Sequence, residues 1–168
     1  GQMLPKIKLA QRVWVTMLVM SVVVTDASTD EPRAGGDMDR AMELMRDAKT
    51  IAVVGVSSKP DRPSNEVALY LQQHGFTVYM VNPRETEVLG QPCYDSVQDL
   101  PEPVDIVDVF RRVPDVPPVV DDAIAAGARA VWMQLEIVDE DSAERARLAG
   151  LEVVMDKCTK IEHARLSL

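Results

Sequence analysis

The sequence predicts an α/β fold with a doubly wound, mainly parallel sheet in a single domain. Short runs of β-branched and other apolar residues recur from residue 51 to residue 155, and segments with the apolar spacing of helices separate them. The connections between successive runs have the length that crossovers between parallel strands require. Alternating strands and helices of this kind build a Rossmann-like sheet with helices on both faces.

The apolar run at 51–56 is the first predicted strand of the domain. It leads through Gly55 into a short polar loop, and Pro63 and Ser64 then open an amphipathic segment, which predicts a strand, a tight loop and a helix start. Further strands are expected at 76–81, 104–110, 130–134 and 153–155, with a short extra strand at 93–94 and helices at 64–73, 116–126 and 139–149. Ser96 is expected to cap a brief helical turn.

An earlier helix is expected just before the first strand. Asp37 can cap it, and its apolar face then carries Met38, Ala41, Met42 and Met45. The domain is therefore expected to span 37–168, preceded by an extension or linker at 1–36. Within that extension the apolar run 13–24 follows three basic residues, which is the outline of a secretory signal, although an upstream extension or an extra β-rich segment is the interpretation we favour.

Composition excludes several classes of protein. The net charge of −9 argues against a general nucleic-acid binder, because such proteins need a basic surface to displace counterions from phosphates. The apolar run near the N-terminus is too short for a stable membrane span. Cys93 and Cys158 lie far apart, and neither His74 nor His163 is near them in sequence, so no metal site or disulfide framework is expected. We expect a cytoplasmic protein.

Ligands of doubly wound sheets bind at the carboxyl ends of the strands, so the loops after the strands are the candidate site. Glycine there allows close backbone approach, serine hydroxyls lie beside backbone N–H donors, and arginine or lysine can pair with phosphate oxygens. The candidate ligand-binding residues are Gly55, Val56, Ser57, Ser58, Lys59, Arg62, Pro63, Ser64, Asn82, Pro83, Phe110, Arg111, Arg112 and Gln134.

The cations of this edge have two interpretations. Lys59, Arg62, Arg84, Arg111 and Arg112 could bind phosphates of a nucleotide-type ligand. They could equally be solvated, or pair with the nearby carboxylates of Asp61, Glu85 and Asp115.

Standard nucleotide and catalytic motifs are missing. The dinucleotide fingerprint needs two further glycines and an acidic residue after the second strand, but Ser57, Pro60 and Asn82 occupy those positions. The Walker phosphate loop is absent as well. Asp105 and Asp108 are three residues apart on one strand and face opposite sides of the sheet. No catalytic site is evident.

Five segments of the chain resemble, in order, the small stand-alone CoA-binding proteins, which are similar in fold to the CoA-binding domain of the succinyl-CoA synthetase α subunit. They are IAVVGVSSKPDRPS at 51–64, VNP at 81–83, VDIVDVFRR at 104–112, VWMQL at 131–135 and VVMDKCTKIE at 153–162. The resemblance covers about 38–166. The sequence departs from the family at Glu136, where glycine is usual, and at Thr159, where proline is usual.

The resemblance implies a coenzyme A or acyl-CoA ligand. The loop 55–58 and the helix start 62–64 would hold phosphates of the ADP moiety, while 82–83 and 110–112 would flank the adenine, ribose and pantetheine. Because no counterpart of the catalytic histidine domain of the synthetase follows, we expect a non-catalytic carrier, sensor or partner subunit, with a homodimer or a protein partner possible.

Two alternatives stay open. The first is a thiol-dependent CoA or CoA-disulfide enzyme that uses Cys158, whose two neighbouring lysines could lower the pKa of its thiol. A buried structural cysteine is the interpretation we favour. The second is a nucleotide-dependent enzyme of the NAD or sugar-nucleotide type, against which the missing glycines and Asn82 argue.

Overall fold

The structure is a computed structural model that describes residues 38–168, so the expected extension at 1–36 and the expected cap at Asp37 lie outside the described residues. The strands are β1 (Thr50–Val54), β2 (Thr77–Val81), β3 (Glu87–Val88), β4 (Gln91–Tyr94), β5 (Ile106–Val109), β6 (Ala130–Met133) and β7 (Glu152–Val154). The α-helices are α1 (Arg40–Asp47), α2 (Pro63–Gln73), α3 (Val116–Ala125), α4 (Glu140–Leu148) and α5 (Thr159–Arg165). Single 3₁₀ turns lie at Val97–Asp99 and Val113–Asp115.

The strands form one sheet in the order β3-β4-β2-β1-β5-β6-β7. All neighbours are parallel except β3 and β4, which form an antiparallel hairpin at one edge. The chain moves outward from β1 in one direction through β2 and in the other through β5, so β1 and β5 border the switch point at which such sheets bind ligands. The predicted Rossmann-like α/β fold is confirmed.

The two faces of the sheet each bury a separate core. Along β1, Ile51 and Val53 face the layer of α1, α2 and α5, whereas Ala52 and Val54 face the layer of α3 and α4. This alternation follows from the period of two in a strand. Since every residue from Ile51 to Val54 is buried, β1 is covered on both sides, as central parallel strands are.

Two short elements were not expected from the sequence. The two-residue strand β3 is too short to leave a periodic signal. Helix α5 has only seven residues and lacks a side-chain cap at Cys158, so its start carries no sequence signature. Its position depends on tertiary contacts: the Tyr70 hydroxyl of α2 lies 2.8 Å from Nδ1 of His163, and Trp132 Nε1 donates to the Lys157 carbonyl at 2.7 Å.

The predicted ends of the strands and helices agree with the structure within a few residues, with two corrections. Asp39, rather than Asp37, caps α1 within the described part of the chain, because its Oδ1 accepts a hydrogen bond from the Met42 N–H at 3.0 Å. Strand β1 ends at Val54 instead of residue 56, because Gly55 has a φ of 86° and leaves the extended conformation.

Glu136 has a backbone conformation that explains why glycine is usual at this position in the resembling family. Its φ is 68°, in the left-handed region that side chains with a Cβ disfavour. The Glu136 N–H donates to Asp156 Oδ1 at 2.7 Å, which holds the turn after β6 against the turn after β7. The strain and the hydrogen bond belong to the backbone, so glycine can keep the bond and remove the strain.

We therefore expect Glu136→Gly to stabilise the protein by about 0.5–1 kcal/mol, since relief of the left-handed conformation exceeds the added freedom of glycine in the unfolded chain. Thermal unfolding should show a rise of roughly 2–4 °C in Tm. Glu136→Ala is the matched control, because alanine loses the carboxylate but keeps the Cβ. An equal gain for alanine would show that the charge, and not the backbone, is responsible.

Candidate functional site

The candidate site is the carboxyl edge of the sheet, where the loops after β1, β2 and β5 meet. A cleft of about 320 Å³ opens there between the loops after β2, β4 and β5 and the start of α3, and Asp95, Asp115 and Asp122 line it together with two arginines. It brings together three residues that the sequence places on two separate loops: Pro83 and Arg84 after β2, and Arg111 after β5. The predicted convergence of these loops at one edge is therefore seen in the structure.

Gly55 lies at the narrowest point of this edge. An added Cβ would lie 2.6 Å from the carbonyl oxygen of Phe110 and 3.3 Å from Cδ of Arg111. The first of these atoms belongs to the backbone, which the pairing of β1 with β5 holds in place, because the Phe110 N–H donates to the Val54 carbonyl at 2.9 Å. Only glycine fits here, and Arg111 passes directly across it.

Gly55→Ala should destabilise the protein by at least ~2 kcal/mol more than Gly127→Ala. The two glycines have similar φ values of 86° and 73°, but a Cβ on Gly127 would meet no atom within 4 Å. Gly127→Ala therefore measures the cost of the positive φ alone, about 1 kcal/mol. Urea unfolding of both variants checks this expectation, and equal losses would contradict the close approach.

The loop between β1 and α2 is held together by its own hydrogen bonds. The Ser57 N–H donates to Ser64 Oγ at 3.0 Å, and the Lys59 N–H donates to Ser57 Oγ at 3.1 Å. Asn65 Nδ2 donates to the Ser57 carbonyl at 2.8 Å. Two of the backbone N–H groups expected to face a ligand are thus already satisfied, whereas the hydroxyl hydrogens of the serines remain available as donors.

The side chains of Asn82 and Val56 are not placed for direct contact with a ligand. Asn82 is buried, donates through Nδ2 to the Val56 carbonyl at 2.8 Å, and accepts through Oδ1 from the Arg84 N–H at 3.0 Å. Its side chain thus joins the loop after β2 to the loop after β1. The side chain of Val56 is fully buried in the core, so this residue can offer only its backbone to a ligand.

The cations of the edge are not equivalent. Arg112 points to solvent with 89% of its side chain exposed, and its Nη2 lies 3.7 Å from Asp115 Oδ2. Within residues 38–168, Arg111, Arg84, Arg62 and Lys59 form no ion pair with a carboxylate. These four are therefore available to an anion. The interpretation as paired surface charges applies to Arg112 alone.

One carboxylate also approaches the loop. Glu85 Oε1 accepts a long hydrogen bond of 3.4 Å from the Ser58 N–H. Ser58 is exposed, so an anion arriving at this N–H would displace a weak contact.

Gln134 belongs to a buried polar cluster that the sequence did not reveal. Its Nε2 donates to Asp108 Oδ1 at 2.5 Å and to Thr159 Oγ1 at 3.0 Å, and the Thr159 hydroxyl donates to Asp108 Oδ2 at 2.9 Å. Gln134 is only 4% exposed, and Asp108 and Thr159 are fully buried. Sequence distances of 26 and 51 residues separate Asp108 from its partners, so no local pattern could have indicated the cluster.

Burial controls the ionisation of Asp108. Desolvation raises the pKa of Asp108 to about 7, against the opposing effect of the hydrogen bonds from Gln134 and Thr159. In the unfolded chain this carboxyl titrates near its ordinary value, roughly 3.9. The folded state therefore binds more protons between these two values, so its stability falls as the pH rises through that window.

Asp108→Asn should remove this pH dependence. We expect the variant to gain at least ~1 kcal/mol of unfolding free energy relative to the wild type between pH 5 and pH 8, because asparagine does not ionise. Urea unfolding of both proteins at pH 5, 6, 7 and 8 measures the difference. A difference that stays constant across this range would mean that Asp108 titrates below pH 5 in the folded protein.

The sequence candidates for catalysis are not assembled into a site. Asp105 precedes β5 and accepts hydrogen bonds from the Lys49 and Thr50 N–H groups at the amino end of the sheet, so it forms no pair with Asp108. Cys158 is buried, which agrees with the structural interpretation that we favoured. Among the described residues, no group of three or more His, Cys, Asp or Glu side chains is arranged to hold a metal ion.

A larger cleft of about 540 Å³ lies at the opposite, amino edge of the sheet. Its cations face carboxylates: Arg40 pairs with Glu152, and Arg129 Nη1 lies 3.7 Å from Asp105 Oδ1. The available cations and the close backbone approach are both at the carboxyl edge. Size alone does not identify the site.

Among residues 38–168, none of the helices has the length and apolar character needed to cross a membrane.

A mainly parallel sheet with a switch point at β1 and β5, and a glycine at the close approach of these two strands, define the Rossmann-like class of α/β domains. The family is defined more narrowly by comparison with known proteins. The profile of the family described as "CoA binding domain" matches residues 49–164. The chain belongs to this family, and the resemblance seen in the sequence is confirmed.

The relatives include stand-alone proteins and parts of larger enzymes. The chain is 37% identical over 122 residues to the uncharacterized protein YneT of Bacillus subtilis, covering 73% of this chain and 90% of that protein. A hypothetical protein from Pyrococcus horikoshii is similar in structure, with a TM-score of 0.75, 39% identity, and coverage of 82% of this chain and 97% of that one. An ADP-forming acetate–CoA ligase of Archaeoglobus fulgidus is 28% identical over 137 residues, which span 76% of this chain but only 20% of the ligase.

Proposed function

We propose that the protein binds coenzyme A or an acyl-CoA at the carboxyl edge of the sheet, as a non-catalytic carrier, sensor or partner subunit. The observation that supports this most is the junction of Gly55, Phe110 and Arg111, where the backbone closes tightly and a cation lies across it. Membership of the CoA-binding domain family and the relation to part of an acetate–CoA ligase support the choice of CoA over other nucleotides.

The residues of the edge fit the chemistry of this ligand. CoA carries a pyrophosphate and a 3′-phosphate, which call for cations, hydroxyl groups and N–H donors. Arg84 and Arg111 line one cleft. The Ser57 hydroxyl belongs to the loop after β1, where it accepts a hydrogen bond from the Lys59 N–H. The Ser64 N–H at the start of the eleven-residue helix α2 has no acceptor within the helix, and the positive end of the helix dipole favours an anion.

The roles within the proposed contact set differ. Gly55, Ser57, Ser58, Lys59 and Arg111 would contact phosphates directly. The other proposed members offer a backbone group, a side chain at the rim, or support for a neighbour: these are Val56, Arg62, Pro63, Ser64, Asn82, Pro83, Phe110 and Gln134. Arg112, whose side chain points to solvent, would contribute only its backbone.

The two alternative functions have less support. For the thiol enzyme, Cys158 would have to reach solvent, but it is buried, and neighbouring Lys157 and Lys160 face the carboxylates of Asp39 and Glu66 at 3.6 and 2.7 Å. For an NAD-type enzyme, the second strand would need to end in an acidic residue, but Asn82 lies there and joins two loops.

Isothermal titration calorimetry with the full chain tests the proposed ligand. CoA, acetyl-CoA, dephospho-CoA and NAD are titrated in parallel at one salt concentration. We expect binding of CoA, weakened at least ~10-fold by loss of the 3′-phosphate because charged hydrogen bonds are lost, and no comparable binding of NAD. Binding of NAD without binding of CoA would contradict the proposal.

Arg111→Glu and Arg112→Glu form a matched pair in the same titration. Arg111→Glu places a carboxylate across Gly55 and should weaken CoA binding at least ~10-fold. Arg112→Glu changes an exposed side chain outside the cleft by the same charge, so its effect should stay within about threefold. Both should keep the circular dichroism spectrum of the wild type. An equal loss for both variants would mean that net charge, and not the cleft, attracts the ligand.

We also propose that residues 37–168 constitute the CoA-binding domain and that the protein acts in the cytoplasm, because its proposed ligand is a cofactor of intracellular metabolism. A homodimer or a protein partner is compatible with a carrier or sensor role.

A further inference from the structure

While Asp108 is ionised, Gln134 presents its amide in one orientation. Both of its Nε2 hydrogens are used, one by Asp108 Oδ1 and one by Thr159 Oγ1. A carboxylate can only accept hydrogen bonds, so while Asp108 is ionised the amide nitrogen must face it. The carbonyl oxygen Oε1 therefore points away from the cluster.

This oxygen has no hydrogen-bond partner among the described residues. Within residues 38–168, however, no side-chain nitrogen or oxygen that is fully buried lacks such a partner. Gln134 as a whole is 4% exposed, so a ligand could reach its side chain only at a small opening. Because Gln134 directly follows β6, the oxygen is a fixed acceptor at the same edge as the proposed CoA site.

The surroundings of Gln134 suit an uncharged ligand group. The turns after β6 and β7 carry the exposed carboxylates of Glu136 and Asp156, which would repel a phosphate. Leu135 and Val138 expose apolar side chains there, at 53% and 43%. A neutral acceptor among apolar groups matches a chain that carries amide N–H donors, which is the chemistry of the pantetheine arm of CoA.

The distance across the strands of the sheet agrees with a pantetheine arm near Gln134. β6 is two strands from β1 in the sheet order, so Gln134 lies about 10 Å from the phosphate loop after β1. The cations that would hold the phosphates lie after β2, β1 and β5, and β6 is the next strand of the sheet beyond β5. A ligand anchored by its phosphates at Gly55 would reach β6 with its arm.

We infer that Gln134 Oε1 accepts a hydrogen bond from an amide N–H of the pantetheine arm, and that Asp108 and Thr159 are positioning residues that fix its orientation. This inference rests on the proposed function. It gives Thr159 a role that the proline usual at this place in the family cannot have: proline would suit the first position of α5, but it has no hydroxyl to donate to Asp108.

Titration of Thr159 variants of the full chain with two ligands tests the inference. The ligands are CoA and 3′-phosphoadenosine 5′-diphosphate, which is CoA without its pantetheine arm. Thr159→Val keeps the shape of the side chain but removes the hydroxyl, so Gln134 loses one of the two hydrogen bonds that fix its amide. We expect a loss of roughly three- to tenfold in affinity for CoA and a change within about twofold for the fragment.

Thr159→Ser is the matched control, since it keeps the hydroxyl and loses only a methyl group, and it should bind CoA as the wild type does. Thr159→Pro replaces Thr159→Val if the valine variant does not fold, because proline fits a first helical position. Each variant is compared on the two ligands, so a general loss of stability affects both affinities alike.

The outcomes separate the inference from the proposed function. If the wild type binds neither ligand, the proposed function fails, and the inference fails with it. If the wild type binds both ligands but the hydroxyl-free variant weakens both equally or neither, CoA binding stands and the role of Gln134 and Thr159 is refuted. A selective loss for CoA that serine restores supports the inference.

Discussion

Gly55 lies where β1 ends beside β5, and its Cα is so close to the Phe110 carbonyl that no side chain fits between them. The parallel pairing of β1 with β5 fixes both partners, because the hydrogen bonds of the ladder continue to the Phe110 N–H. The loop that follows must therefore turn sharply, which brings its serines, the start of α2 and Arg111 to one edge. The cationic character of the site depends on this backbone contact.

The carboxyl edge carries cations without carboxylate partners although the chain as a whole is acidic. The net charge is −9, yet four cations of the edge have no carboxylate partner among the described residues, whereas Arg40 and Arg129 at the opposite edge are paired. Long-range attraction of an anion is weak under these conditions, since charges beyond about a Debye length, roughly 8–10 Å, are screened. The proposed recognition would then depend on short-range contacts in the cleft, where Arg111 lies close to Gly55.

Most of the fold was predictable because parallel strands buried on both faces leave continuous apolar runs in the sequence. β1, β2, β5 and β6 were each expected within a few residues of their bounds, and the topological rule for ligand sites then placed the candidate residues at one edge. The topological rule does not predict that the Asn82 side chain joins two loops or that the Arg112 side chain points to solvent. Those roles depend on side-chain direction, which neighbouring residues in the chain do not determine.

The sequence by itself determined the order of strands and helices, the glycine at the first loop and the family. These are local properties or ordered motifs, and each can be recognised within a short segment. Only the tertiary structure decided the cluster of Asp108, Gln134 and Thr159, the seven-residue helix α5 and the strained turn at Glu136. The physical reason is that a buried carboxyl needs donors from wherever the packed chain supplies them, and a helix without caps forms where its neighbours bury it.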